Sequence, residues 1–297
     1  MRRLAAQLPH GFQANNAWIK QVTIREFTGY DEQLIASSQN FFPPFKTSIL
    51  LARITELNNN NNNVLSNFDM LQTVRNLSIG DRIALILQLR KITFGNILQC
   101  TLQCPKCTNK LSLDIPIDSI LQPPKTNPQT TYTLQIDNYT LKIRPLNGTD
   151  LETITQNQNT PQTTTTTITS TPDTAIDTYL SEKLLRLCIL SSNPPLPKTL
   201  NNQFQTQLST KLSEIDRQAD LTLNINCPLC NQTFQTPLDI EDFFFQEITS
   251  RYPQLEREIH WIALHYHWNE KTILSLPSSK RKRYIELINA SISGENI

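Results

Sequence analysis

Apolar residues recur along the chain with two different periods. Between 78 and 94 they fill a helix nearly all round, with Ile83, Ala84, Leu85, Ile86, Leu87, Leu89 and Ile92. A helix apolar on every side belongs at the centre of a core. Ser78 suits its N-cap, with Asp81 three residues on in the capping-box position, where Asp is a weaker partner than Glu or Gln. Arg90 and Lys91 suit the negative end of the helix dipole, and Gly95 suits the C′ position. The helical pattern reaches back to residue 67. Over 131–145 the period falls to two: Tyr132, Leu134 and Ile136, then Asp137 and Asn138, then Tyr139, Leu141 and Ile143. That alternation predicts a β-hairpin. A helix is predicted over 177–190, with Cys188 on its buried side. From 239 onward the pattern is helical again, with a stripe of Leu255, Ile259, Ile262, Ala263 and Tyr266. Pro253 suits a first helical position. A short turn near Trp268 and Asn269 leads to 272–276, and Pro277 separates a last basic helix over 280–288.

Three polar stretches interrupt these segments: an unbroken Asn run at 58–63, a Thr-rich stretch at 157–174, and a Pro-containing one at 191–202. None has the apolar content to offset the entropy of ordering, so each is predicted to be a loop or disordered. They lie between patterned segments, as insertions in one scaffold would. The expected organisation is a mixed α/β scaffold over 1–240 and a helical C-terminal region over 241–297.

The strongest chemical signal is a repeat. Leu98, Cys100 and Leu102 alternate into Cys104-Pro105-Lys106-Cys107, and Leu111, Leu113 and Ile115 alternate out. At an offset of 123 residues, Leu221, Leu223 and Ile225 lead into Cys227-Pro228-Leu229-Cys230, followed by Phe234, Leu238 and Ile240. Each copy reads as a strand, a tight turn and a return strand. A Cys-x-x-Cys turn aims two thiolates at one ion, and two such turns complete a tetrahedral site of four cysteines with no position open for substrate. Cys104, Cys107, Cys227 and Cys230 are therefore the predicted ligands of one structural zinc ion per chain. Metal binding there joins segments about 120 residues apart to folding. Redox chemistry is the rival, but a thioredoxin-type pair stands at a helix N-terminus, where the dipole lowers the thiol pKa. Here both pairs lie between strands. Two disulfides or free thiols are further alternatives. Cys100 and Cys188 read as small buried apolar residues.

Composition narrows the function. The 297 residues carry 27 Lys+Arg against 26 Asp+Glu, a net charge of +1, so no global field favours a polyanion. Only 6 residues are glycine, and neither a Walker pattern nor G-x-G-x-x-G occurs. The start, Met1 to Ala6, is basic and small like a signal peptide, yet Gln7, Pro9 and His10 follow instead of an apolar segment. No apolar run approaches a membrane span. Six cysteines are too few for a disulfide scaffold of this length. These features predict a cytoplasmic protein.

Other candidates read as structure. His260, His265 and His267 are interleaved with Trp261, Tyr266 and Trp268. The first two are five apart, not the four that stacks two ligands on a helix, so aromatic packing at a helix end is expected. Lys280, Arg281, Lys282 and Arg283 could meet phosphate, giving a zinc-ribbon nucleic-acid protein as the alternative function. Glu286 nearby and the neutral chain favour a solvated helix face or a protein contact. Asp31, Glu32, Asp239, Glu241 and Asp242 read as turn and cap residues. No catalytic residues are assigned.

The order of these blocks resembles the baseplate-associated proteins of contractile phage tails and phage-tail-like contractile injection systems, the family related to the myovirus baseplate hub assembly protein. The first block is 24–32, with Thr28, Gly29, Asp31 and Glu32. Next come 50–53, then 79–95 with Gly80, Asp81, Arg82, Thr93, Phe94 and Gly95, and then the first C-P-x-C. The block 143–152, with Gly148, Asp150, Leu151 and Glu152, precedes the second. The tail is 260–270, 273–277 and 281–287. The resemblance spans roughly 24–288 and implies a non-enzymatic role in building a baseplate. Other baseplate, hub or spike proteins would be the partners, within an assembled particle, with no nucleic acid and no direct membrane span. The fold expected is α+β: a helical scaffold with two zinc-knuckle hairpins joined in one four-cysteine zinc ribbon, plus the C-terminal helices. Contact surfaces are expected chiefly on 78–94 and 239–288.

Overall fold

The computed structural model describes residues 1–14, 17–37, 43–57, 67–158 and 174–294. The Asn run at 58–63 and most of the Thr-rich stretch, 159–173, lie outside these residues. The chain opens with the two longest strands, β1 (Arg3–Ala14) and β2 (Ala17–Arg25), paired antiparallel. Ala6, Leu8, Val22 and Ile24 point to one buried face. Two helices follow, α1 (Gly29–Ser37) and α2 (Pro43–Ile54), and then β3 (Thr55–Glu56), which pairs with β2.

The predicted helix over 67–94 is two helices, α3 (Asn67–Asn76) and α4 (Ile79–Phe94). The chain breaks where Ser78 turns out to cap α4, its Oγ accepting from the Asp81 N–H. Gly95 ends α4, with its N–H donating to the Lys91 carbonyl. Every residue of α4 from Gly80 to Arg90 is buried, so this helix cannot present a contact surface as expected from the sequence. It lies on β1 and supplies the hydrogen bonds that β1 lacks. The β1–β2 register slips between Gln7 and Phe12. There Gln88 satisfies the Gln7 backbone, accepting from its N–H at 2.8 Å and donating to its carbonyl at 2.8 Å. The other half of the expected capping box does not form. Asp81 instead accepts from the His10 N–H at 2.8 Å and the Gly11 N–H at 3.1 Å. Buried backbone donors need partners, and a carboxylate facing the strand serves two of them.

Next come β4 (Ile97–Gln103), β5 (Lys110–Pro116) and the short α5 (Ile117–Ile120). The predicted hairpin appears as β6 (Tyr132–Ile136) and β7 (Tyr139–Ile143), turning at Asp137 with a φ of 50°. α6 (Gly148–Gln158) and α7 (Thr174–Cys188) follow. α7 stops two residues earlier than expected because 189–193 form β8 (Ile189–Asn193), a third strand on β7. The predicted loop at 191–202 is thereby shortened at its start. Asn201 caps α8 (Asn202–Ile215), its side chain accepting from the Phe204 N–H. The second cysteine hairpin is β9 (Thr222–Asn226) and β10 (Thr233–Pro237).

The last third is α9 (Ile240–Tyr266), α10 (Glu270–Leu274) and α11 (Ser278–Ser293). Pro253 does not start a helix; it sits inside the 27 residues of α9. An interior proline costs about 3 kcal/mol, and packing on both sides of it offsets that cost. N-terminal to Pro253, Phe244, Phe245 and Ile248 enter the main core. C-terminal to it, Ile262 joins Ile273 and Ile288 in a separate cluster edged by Trp261, Tyr266, Trp268 and Tyr284.

The duplication extends far beyond the cysteine hairpins. The first half runs β1-β2-α1-α2-β3-α4 and then a hairpin, with α3 inserted. The second runs β6-β7-α6-α7-β8-α8 and then a hairpin. Both sheets have the strand orders 1-2-3 and 6-7-8. Each middle strand runs into an arginine that clamps an aspartate six residues on. Arg25 meets Asp31 at 2.6 and 3.0 Å, and Arg144 meets Asp150 at 2.7 and 2.8 Å. Each aspartate also accepts a backbone N–H at 3.0 Å, from Thr28 or from Asn147. A bidentate, charge-assisted pair of this kind fixes the angle at which strand passes into helix.

The halves are interlocked with each other and with the C-terminal helices. Ser78, at the start of α4, bridges to Asn147, and Pro277, at the start of α11, bridges to Thr28. Arg82 is fully buried against the second half's α6 and donates to Ser48 Oγ and to the carbonyls of Val74 and Pro44. A Cβ on Gly148 would fall 2.3 Å from the Arg82 Nη1, so the block 143–152 requires glycine there. Arg281 is equally buried and joins Glu32 at 2.7 Å to Glu258 at 2.9 Å.

Candidate metal centre

The cysteine turns are built alike in both hairpins. The Cys104 N–H donates to the Asn109 carbonyl and the Thr108 N–H to the Cys104 carbonyl; Cys227, Gln232 and Asn231 repeat the pattern. Both turns pass through the left-handed region, Thr108 at a φ of 58° and Asn231 at 55°. Asn tolerates this conformation, whereas a β-branched residue is strained in it. The turn residues Pro105 and Pro228 have no N–H to leave unpaired.

The two hairpins face one another. Leu102, Leu111 and Leu113 of one pack with Leu223, Ile225 and Phe234 of the other around the four cysteines. The sulfurs meet across the hairpins, Cys104 Sγ 3.6 Å from Cys230 Sγ and Cys107 Sγ 3.7 Å from Cys227 Sγ. All four lie within 4.8 Å of one another. A tetrahedral zinc with Zn–S bonds of about 2.3 Å has ligand sulfurs about 3.8 Å apart. The donor set therefore fits a metal ion such as zinc in size and chemistry. Among the described residues, no other group of His, Cys, Asp and Glu converges in this way. Neither pair stands at a helix N-terminus, since both lie between strands.

The thiols are electrostatically unequal. The Asn109 backbone N–H, then its side chain, hold the Cys107 thiol down to about 6. At Cys230 the Gln232 N–H also favours the thiolate, but desolvation and the neighbouring sulfurs outweigh it and push the thiol up to about 12. Thiolates this close oppose one another's ionisation, and a bound cation is what reverses that opposition.

The two remaining cysteines are buried, and all six are free. Burial raises the Cys100 thiol and pushes Cys188 up to about 12. The other predicted candidates do not converge on a site. His260, His265 and His267 are exposed; His265 Nδ1 lies 2.9 Å from the Trp261 carbonyl, and its ring packs on Trp261. His267 ends α9 in the left-handed conformation. The basic run is divided: Lys280, Lys282 and Arg283 are exposed, while Arg281 is turned inward to Glu32 and Glu258.

A buried polar junction escaped the sequence reading. His10 Nε2 lies 3.2 Å from Asp216 Oδ1, though not aligned as a hydrogen bond, and Asp216 Oδ2 accepts the Gly80 N–H at 3.0 Å. A Cβ on Gly80 would fall 1.9 Å from Asp216 Oδ1. Asp81 joins the same junction, and Lys125 donates to the Ile215 carbonyl beside it. The junction fastens β1 and α4 of the first half to the end of α8. Burial, with the charge of Asp216 behind it, raises the Asp81 carboxyl to about 6. A carboxyl raised above its unfolded value stabilises the fold below about pH 4, and that contribution is lost as pH rises through 6. Asp81→Asn should therefore gain on the wild type between pH 4 and 7, by on the order of 1–3 kcal/mol. Urea midpoints across that range measure it; a constant difference would refute it.

The fold and site define a mixed α/β chain whose duplicated hairpins gather four cysteines into a cluster suited to a metal ion. Residues 6–245 match the family described as T4 bacteriophage base plate protein, and the chain belongs to that family. No curated protein and no solved structure matches it. The matched span covers both cysteine hairpins and ends within α9. No helix among the described residues is long and apolar enough to cross a membrane.

Proposed function

We propose that the chain is a non-enzymatic structural or assembly component of the baseplate of a contractile phage-tail-like injection system, held together by one structural zinc ion. Cys104, Cys107, Cys227 and Cys230 are its ligands, and the two hairpins form a single zinc ribbon. The observation that carries the reading is the meeting of four sulfurs from turns 123 residues apart, at tetrahedral spacing, in a chain of the base plate family. Such a site is closed: it contributes folding energy and leaves no coordination position for chemistry.

Function then rests on surfaces. Its partners are other baseplate, hub or spike proteins, and the helical region from 241 onward is a contact element. The inward turn of Arg281 removes one cation from the basic run, which supports protein partners over nucleic acid. Two measurements test the proposal together. Elemental analysis of the purified chain should find one zinc per chain, and mass spectrometry should find the chain in contractile particles or their assembly fractions. Absence from both particle pools would refute the baseplate role, and a metal-free chain with all thiols titratable would refute the zinc.

A further inference from the structure

Beyond their insertions, the two halves of the duplication differ in packing: one groove is filled and its counterpart is open among the described residues. In the first half, α1, α2 and α4 enclose α9. Phe244, Phe245 and Ile248 are buried there, with the Phe244 ring 5.6 Å from that of Phe27. In the second half, α6, α7 and α8 bound a cavity of about 540 Å³ with nothing in it among the described residues. Four wall residues have counterparts when the halves are aligned on Arg25 and Arg144, on the starts of β3 and β8, and on the caps Ser78 and Asn201. Leu146 stands where Phe27 stands, Leu184 and Leu185 where Leu50 and Leu51 stand, and Leu212 where Leu89 stands. The first-half residues are at most 1% exposed, whereas Leu146, Leu184 and Leu212 remain half-buried.

The difference is already present in the two long helices. α4 is apolar all round because it lies between a sheet and α9. α8 buries only the side that carries Phe204 and Leu208, and offers Thr206 and Ser209 where α4 offers Ile83 and Ile86. Charge separates the grooves further. In the filled groove, Arg90 of α4 pairs with Glu247 of α9 at 3.2 Å. In the open one the counterpart of Arg90 is Ser213, whose hydroxyl donates to Asp220 at 2.9 Å. Asp216 and Asp220 line that wall, and the lining includes no Lys or Arg.

We propose that the open groove docks an amphipathic helix of a partner protein that plays the part α9 plays in the first half. Its helix presents large apolar residues at i, i+1 and i+4, as Phe244, Phe245 and Ile248 do. It carries Lys or Arg at i+3, where α9 carries Glu247. The leucines supply the apolar contact, and the exposed Asp220 selects the cation, with the buried charge of Asp216 behind it. The inference is independent of the zinc.

The probe is a fluorescent peptide with the sequence of residues 240–252 and Glu247→Lys, titrated by anisotropy against the full chain. Saturable binding is expected, at least fivefold tighter than for the same peptide with Glu247 retained. Leu184→Glu should weaken it at least tenfold, and Asp220→Lys, at an exposed position, should invert the Lys-over-Glu preference. Circular dichroism checks that both variants fold; if L184E does not, the inversion by D220K decides alone. A peptide that invaded the first half by displacing α9 would ignore both substitutions, and that result overturns the proposal. Equal affinity for the two peptides, or no saturation, overturns it too. A gain in affinity on deleting residues 159–173 would assign the groove to the chain's own segment and would also overturn it.

Discussion

Cys227→Ser is expected to abolish zinc binding and to lower the stability of the whole chain by about 3–5 kcal/mol, the scale of losing a cross-link that closes a loop of roughly 100 residues. The effect should not stay local. The hairpins carry little core of their own, only the leucines, Ile225 and Phe234 around the sulfurs, and a two-stranded hairpin is marginal by itself. Without the ion, the sulfurs that meet across the hairpins at 3.6 and 3.7 Å become mutually repelling thiolates or a packing defect. Strong chelation of the wild type should reproduce the variant's melting curve, and re-addition of zinc should restore the original one only in the wild type. Cys100→Ala is the control, a buried thiol outside the cluster, and should keep its response to chelator. Identical melting of wild type and Cys227→Ser, with and without chelator, would remove the metal from the account of this fold.

Arg281→Met should cost a comparable 3–5 kcal/mol, roughly the cost of leaving Glu32 and Glu258 buried together with no cation between them. The loss has a pH signature. Burial already raises the Glu32 carboxyl even with Arg281 beside it. A raised carboxyl contributes stability at low pH that is lost as pH rises through its folded value. With the arginine removed that rise becomes larger, so the variant's deficit should shrink as pH falls below neutrality. Adding Glu32→Gln and Glu258→Gln should recover much of the loss at neutral pH. Urea unfolding of Arg281→Met alone, with either Gln substitution and with both, measures the coupling. A deficit independent of pH and unrelieved by the Gln substitutions would mean that packing, not the buried charges, governs this contact.

What was legible in the sequence is what local chemistry dictates. The α4 pattern, its Ser78 cap and its Gly95 end, the 132–143 hairpin and both cysteine turns follow from residues within a few positions of one another. What was hidden depends on partners far along the chain. β1 carries Ala5, Ala6, Gln7 and Pro9, poor strand residues, and its backbone at Gln7 and His10 is held by Gln88 and Asp81 more than 70 positions away. Pro253 looked like a helix start because propensity is local, whereas the two cores that hold α9 together across it are not. Arg281 looked solvated inside a run of four cations; only the fold brings Glu32 to it across 249 positions. Asp81 fits a capping box by spacing, but strand β1 competes for its oxygens and wins both. The duplication was visible at the cysteines, where spacing is fixed, and hidden elsewhere by unequal insertions such as α3 and 159–173.

The filled groove of the first half also sets an order of events during synthesis. α4 emerges from the ribosome roughly 150 residues before α9, a wait on the order of 10–30 s at ~5–20 residues per second. Throughout that interval a helix that is buried without a break from Gly80 to Arg90 in the finished fold has a sheet on one side and lacks α9 on the other. The first half can fold only provisionally until the end of the chain arrives to cover it. A nascent chain stalled before residue 240 should therefore be a substrate for holding chaperones, and one released at full length should not.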